Sequence, residues 1–342
     1  MESCMTRSIN RFRVKKIIYT VFFLVLIFLI LTNSQKSTYY ALYGLNLWFT
    51  KMIPSLLPFM ILSGIMVRLQ LTSGFATLMH PLLHPVWRVR KNVTYAMIMG
   101  FLCGFPMGAR VTCDLLDRHM IGDKEANFLL AFCNNIGPVY FTGFVLPLLK
   151  RTQILPYLIG MYGLPFLYGL VLRHTVYKSM SETDSYQIAN DHKATQRPYS
   201  ILEQIDDAIT TSVQGILSLG GYMILFNLLN LIPVSVVDMV LHAVNSKTIV
   251  AGKIHFVKAL PALIAPILEI TGGLGILEDR MPLYSLLLLP FGGLSCMAQT
   301  YSIIRKSNLS IHTYVYHKLI LTGITVLYYA GWKTFFPESF LL

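Results

Sequence analysis

Apolar runs of two lengths alternate along this chain. The long ones cover residues 17–31, a stretch ending near Arg68, 153–172 and 312–336, approaching or exceeding the ~20 residues that a membrane helix needs. Between them lie runs of about ten residues, too short to span: 93–102, 125–134, 140–149, 259–268 and 282–291. These short runs meet at breaks rich in glycine, proline and side-chain amides. The first set reads Gly104-Phe-Pro106-Met-Gly108-Ala-Arg110 and then Asn134-Asn135-Ile-Gly137-Pro138. The second reads Glu269-Ile-Thr-Gly272-Gly273-Leu-Gly275 and then Phe291-Gly292-Gly293-Leu-Ser295-Cys-Met-Ala-Gln299. Two short halves joined at such a break predict a discontinuous helix or a re-entrant hairpin. Gly and Pro are ordinary in membrane helices as kinks and close-packing points, so one notch says little. Two ordered sets in corresponding positions of two halves are a pointer to a binding site.

The intervening segments fill out an architecture. Arg7, Arg11, Arg13, Lys15 and Lys16 precede the first run, which places the N-terminus in the cytoplasm. No small-x-small site follows at Asn33-Ser34-Gln35-Lys36, so the run predicts a retained helix rather than a cleaved signal. Residues 39–50, with Tyr39, Tyr40, Tyr43, Trp48 and Phe49, predict an interfacial segment. It leads into a helix kinked early by Pro54 and Pro58. Residues 70–92 predict an interfacial helix and turn, and 110–124 a polar connection. Residues 173–200 predict a solvated linker between the halves. In the second half, 201–217 reads as an amphipathic helix whose Glu203, Asp206 and Asp207 suit its N-terminus, and 219–232 as a short apolar segment ended by Pro233. The expected fold is an all-α polytopic membrane protein with two structurally repeated halves around a midplane cavity. Its divisions are an N-terminal membrane helix (1–38), a first half (39–172), a linker (173–200) and a second half (201–342).

Composition supports the membrane reading: 54% of residues are hydrophobic and 13% charged, against about 25% charged in soluble domains. The net charge of +12 is what cationic loops on one membrane side produce, and it also suits an anionic solute. Cys4, Cys103, Cys113, Cys133 and Cys296 are scattered, which predicts packing roles rather than disulfides or metal ligation. There is no His-Glu-x-x-His motif, no phosphate-binding loop and no Ser-His-Asp spacing. His80 and His84 are interrupted by Pro81. No enzyme activity, metal, cofactor or nucleic-acid partner is therefore expected. Transport by such a chain is passive or driven by an ion gradient, with a proton or cation as the coupling ion.

In hydrocarbon, unwound backbone survives only where it lines a cavity or is buried in protein. A half-helix N-terminus there presents free N–H groups to an anion, and glycine lets a ligand approach the backbone. Asn134, Asn135, Ser295 and Gln299 offer hydrogen bonds without charge, or serve as interhelical packing. Arg110 and Glu269 are the charged residues at the breaks, and intramembrane charges are expensive and mark function. Arg110 is a candidate counter-charge for the solute, or an interfacial residue near Asp114 and Asp117. Glu269 is a candidate ligand for a proton or cation, or a partner of Arg110. The candidate binding set is Gly104, Pro106, Gly108, Arg110, Asn134, Asn135, Gly137, Glu269, Gly272, Gly273, Gly293, Ser295 and Gln299.

The ordered motifs, together with Glu125-Ala, resemble those of the YlbJ-type sporulation integral membrane protein family. That family lies within the wider group carrying the nucleoside-recognition gate domain, which is similar to concentrative nucleoside transporters. The resemblance covers roughly residues 40–335. It implies a multi-pass protein in the cytoplasmic or forespore-surrounding membrane of a spore-forming bacterium, carrying a small anionic solute, dipicolinic acid. It equally leaves room for a nucleoside or other small-metabolite carrier, and for a non-transporting assembly protein. The partners implied are the solute, the lipid bilayer, and a second copy or a sporulation membrane protein. Phe105 stands where Tyr is usual in that family and Arg110 where Lys is usual. The charge is kept and a hydroxyl is lost.

Overall fold

A computed structural model describes residues 2–150, 154–180, 200–243, 251–307 and 309–337, and among them all regular structure is helical. Helix α1 (Glu2–Thr32) exposes apolar side chains around its circumference, among them Ile17, Phe23, Phe28 and Leu31, as a helix surrounded by lipid does. Helix α2 (Ser34–Arg68) corrects one expectation. Residues 39–50 do not form a separate interfacial segment but belong to this long helix, which contains a π turn at Trp48–Met52. The cause is packing against α9 (Ile201–Leu228): Trp48 Nε1 donates to Ile216 O at 2.9 Å. A side chain at Gly44 would stand 3.1 Å from the Ile224 backbone. Helix α9 is itself one element across the predicted boundary at residue 218. Pro233 falls inside the following α10 (Leu231–Ala243) and does not end the apolar run before it, because proline is tolerated in a first turn.

Ion pairs fix how these long helices lie. Arg68 Nε meets Asp207 at 2.6 Å, whereas Lys36, at the other end of α2, meets Asp238 at 2.6 Å. Asp207 lies near the start of α9, and Ile224, near its end, packs on Gly44 near the start of α2, so α2 and α9 run antiparallel, and the bundle has an Arg68 end and a Lys36 end.

After the predicted amphipathic α3 (Thr72–Trp87), helices α4 (Lys91–Cys103) and α5 (Met107–Asp117) form a hairpin. Its tip is Gly104-Phe105-Pro106, with Gly104 at φ +79° and a cis Phe105–Pro106 bond. Helix α5 occupies much of the stretch expected to be a polar connection. It is amphipathic: Ala109, Val111, Cys113 and Leu115 are buried, while Arg110, Asp114 and Asp117 share the opposite, wetter face at helical spacing. Helix α6 (Asp123–Phe132) stops at the Asn134–Gly137 break, and α7 (Pro138–Leu148) continues beyond it. Helix α8 (Leu155–His174) returns to the other end of α7. Arg173 ends α8 rather than opening a linker. It is buried, with Nε bonded to Trp87 O and Nη2 to Arg88 O, each at 2.9 Å. The rest of the predicted linker, 181–199, lies outside the described residues.

The second half has a second hairpin, α11 (Ala251–Leu268) and α12 (Ile270–Leu277), turning at Glu269. Helix α13 (Pro282–Leu288) then stops before Gly292, α14 (Gly293–Ile304) continues, and α15 (Ile311–Phe335) closes the bundle. Ser307 after α14 donates to Asp117, the last residue of α5, at 2.8 Å, and Arg110 of α5 and Arg68 both bond Thr211, so α4 and α5 enter from the Arg68 end. Tyr43, near the start of α2, reaches Gly272 O at the tip, at 3.3 Å, and Asp279, just after α12, meets Lys150 beyond the far end of α7 at 2.7 Å, so α11 and α12 enter from the other end. Among the described residues, five helices are long and apolar enough to cross a membrane. At 25 residues, α15 is also long enough, about 37 Å, but it carries Lys318 in its first half and Lys333 in its last turn.

Candidate functional site

The breaks converge between the halves. One narrow cavity is bounded by Phe105, Ile136, Gly137 and Tyr140 from the first half and by Glu269, Thr271, Gly292, Cys296 and Gln299 from the second. Its volume of about 40 Å³ holds only a few waters. On the Arg68 side lies a cleft of about 390 Å³, lined by Pro106, Arg110, Asp114, Thr211, Arg305 and Lys306 among others. Leu219 and Gln299 line both spaces and form the partition between them. Gln299 Nε2 donates to Ser295 Oγ at 2.9 Å, one turn back on α14, which holds the amide in place.

Glu269 is 3% exposed and caps α12. Its Oε1 accepts from Thr271 N at 3.1 Å, and its Oε2 from Gly272 N at 2.6 Å and Asn227 Nδ2 at 3.1 Å. A carboxylate thus satisfies orphan amides at the positive end of that helix. Arg110 lies elsewhere: its Nη2 donates to Thr211 O at 3.2 Å and its Nε stands 3.8 Å from Asp114. The structure therefore does not join Arg110 to Glu269. The first faces the cleft and the second the narrow cavity.

Asn134 ties four elements together. Its Oδ1 accepts from Ala109 N at 3.3 Å, and its Nδ2 donates to Thr300 Oγ1 at 3.2 Å and Tyr314 Oη at 2.9 Å. Asn135 O accepts from Phe105 N at 2.5 Å, and Asn135 Nδ2 donates to Phe132 O. Several of the glycines make close contact with protein. A Cβ at Gly108 would meet Cys133 O at 2.7 Å, one at Gly137 would meet Cys103 O at 2.7 Å, and one at Gly104 would strike the Gly137 backbone. Gly272 packs on Asn227, and Gly273 and Gly293 on the backbone around Pro266. Of the thirteen candidate residues, Pro106, Arg110, Gly137, Glu269 and Gln299 border open space, and the others build the walls.

Helix α14 differs from α12 in having no side-chain cap: Gly292, at φ +78°, precedes it. Its first amides lie beside the cavity that Gly292, Cys296 and Gln299 line. A helix start of that kind leaves donors for an anion or water.

Sequence reasoning missed Lys318. It is 2% exposed, two turns into α15, and its Nζ donates to Asn134 O. A lysine inside an otherwise apolar span is itself a signal, and it was readable. Among the described residues no group of His, Cys, Asp and Glu is arranged to hold a metal. Cys103, Cys113, Cys133 and Cys296 are buried free thiols.

No protein-family model matches the chain, and no solved structure does. It is similar to the sporulation integral membrane protein YlbJ of Bacillus subtilis (strain 168), at 25% identity over 334 residues. The chain resembles the YlbJ type. That likeness takes in 91% of this chain and 81% of the Bacillus protein, so the breaks of both halves fall within a chain-long correspondence. With the apolar helices described above, it makes this a multi-pass integral membrane protein.

Proposed function

We propose that this chain is a sporulation membrane protein that carries a small anionic solute, dipicolinate, by alternating access between two inverted halves. The observation that carries the reading is the pair of spaces on the seam between the halves, separated by Leu219 and Gln299. Hairpin α4–α5 enters from one end and α11–α12 from the other, the arrangement of inverted-repeat carriers whose sites lie at broken helices near the midplane. The positive-inside rule puts the Arg68 end in the cytoplasm, so the wider cleft is the cytoplasmic vestibule. Arg110, Arg305 and Lys306 provide cations there, and the uncapped start of α14 provides amide donors at the inner cavity. The narrow inner volume corresponds to a state in which the solute has not passed the partition. Dipicolinate, a planar aromatic dicarboxylate, suits cations in the outer cleft and, at the inner cavity, amide donors flanked by Phe105 and Tyr140.

The test is uptake of labelled dipicolinate into proteoliposomes containing this protein alone, with nucleosides as competitors. Saturable uptake is expected. Arg110→Ala weakens apparent affinity by about 10–100-fold, the equivalent of one charge-assisted hydrogen bond, with protein level unchanged. Competition by nucleosides moves the substrate to a nucleoside, and absence of uptake by folded protein leaves a non-transporting assembly role.

A further inference from the structure

The second half closes its break with a built-in anion, Glu269. The break of the first half meets the opposite charge, supplied by α15, at the opposite kind of helix end. Helix α6 ends at Phe132, where unpaired carbonyls give a helix its partial negative charge, and the chain is unwound through Asn134–Gly137. Lys318 Nζ sits against this end, donating to Asn134 O and standing 3.4 Å from Asn135 Oδ1. The rings of Phe105 and Tyr314 lie 5.2 and 5.8 Å from it, within the range of cation–π attraction. Among the described residues no carboxylate lies within 4.0 Å of the ammonium. Lys318 does not line either cavity, so it is not placed as a counter-charge for a solute. Uncharged oxygens at a helix C-terminus and an unwound segment are the ligands that such breaks use for a small monovalent cation, and hard cations take oxygen ligands.

We propose that the α6–α7 break is a monovalent-cation site whose resident cation is the tethered ammonium of Lys318, so that free sodium is excluded from it until that side chain is removed. The inference concerns the folded chain and does not rest on the transport reading. It is tested on purified full-length protein in detergent, by melting temperature in sodium chloride against N-methylglucamine chloride at equal ionic strength.

The wild type is expected to melt at the same temperature in both salts. Lys318→Ala and Lys318→Ser are expected to melt lower in N-methylglucamine and to recover with sodium, saturating at a gain of about 5 °C. Adding Asn135→Ala to either variant removes that gain, because a ligand oxygen is lost. Lys318→Arg, which keeps a tethered cation, is insensitive to sodium. The proposal is overturned if the folded Lys318 variants show no sodium-specific gain. It is equally overturned if the wild type gains as much as they do. Failure of both small variants to fold even in sodium overturns it too, since sodium should then replace the ammonium.

Discussion

The two hairpin tips of this bundle are built on the same plan and finished with opposite chemistry. At the second tip, α11 stops and α12 starts within one residue, and the carboxylate that closes the gap belongs to the break itself: Glu269 caps the amides of Thr271 and Gly272. At the first, the tip Gly104-Phe105-Pro106 is tied to a second break, through Phe105 N and Asn135 O, and the closing charge comes from a distant helix. Lys318 is more than 180 residues from Asn134 in the chain. A helix start needs acceptors and a helix end needs donors, and the sign of each buried charge follows from that. The second break is thus locally self-sufficient, while the first depends on the last helix being in place.

The largest expected effect comes from removing the local cap. Glu269→Ala leaves two buried backbone amides without their acceptor and takes one of two acceptors from the Asn227 amide, which keeps Met223 O. At 1–3 kcal/mol for each unsatisfied buried group, partly relieved by water in the adjacent cavity, the loss is about 3 kcal/mol. That lowers the melting temperature by about 6–12 °C. Glu269→Gln retains one acceptor oxygen and loses less. If thermal melts of the two variants coincide with that of the wild type, the cap contributes nothing to stability and the comparison between the breaks fails.

What the sequence made legible follows the same division. The positions of the breaks were readable because Gly104, Pro106, Gly137, Gly272 and Gly292 interrupt runs too short to span, and local chemistry marks local geometry. Whether each break was a discontinuous helix or a re-entrant hairpin was left open, because that depends on where the halves fold back. Helix α5 was not, because its polar face of Arg110, Asp114 and Asp117 makes it resemble a loop until its buried face is counted at helical spacing. Nor were the roles of Glu269 and Asn134 as caps and ties, since their partners Asn227, Thr300 and Tyr314 come from helices far along the chain. The ion pair of Arg90 with Glu125 likewise joins the start of α4 to the first turn of α6 with no local signature. The lesson of Lys318 is different: one cation in a long apolar helix was visible, and it was its destination that folding decided.

Both tips hold a glycine against backbone, Gly108 against Cys133 and Gly273 against Pro266, but Gly275, farther along α12, is pressed by a side chain instead. At the first, a Cβ on Gly108 would meet Cys133 O at 2.7 Å and the Asn134 Cα at 3.0 Å. Both are backbone atoms of the neighbouring break and neither can rotate away. Gly108→Ala therefore forces α5 off α6, at the 1–3 kcal/mol typical of overpacking, and a lowered melting temperature measures it.

At the second tip, the Cβ of an alanine at Gly275 would meet the hydroxyl end of Tyr43, a flexible side chain rather than a backbone. Tyr43 can swing aside, and the cost is then the loss of its hydrogen bond to Gly272 O, about 1 kcal/mol. The higher helix propensity of alanine offsets much of that loss. Gly275→Ala is accordingly expected to melt within a few degrees of the wild type, while Gly108→Ala melts well below both. A Tyr43→Phe background separates the two contributions. There the hydroxyl is already gone, so the same alanine should become neutral or stabilising. If Gly275→Ala stays as costly in that background as in the wild type, Gly275 is as tightly locked as Gly108, and the difference between these two positions fails.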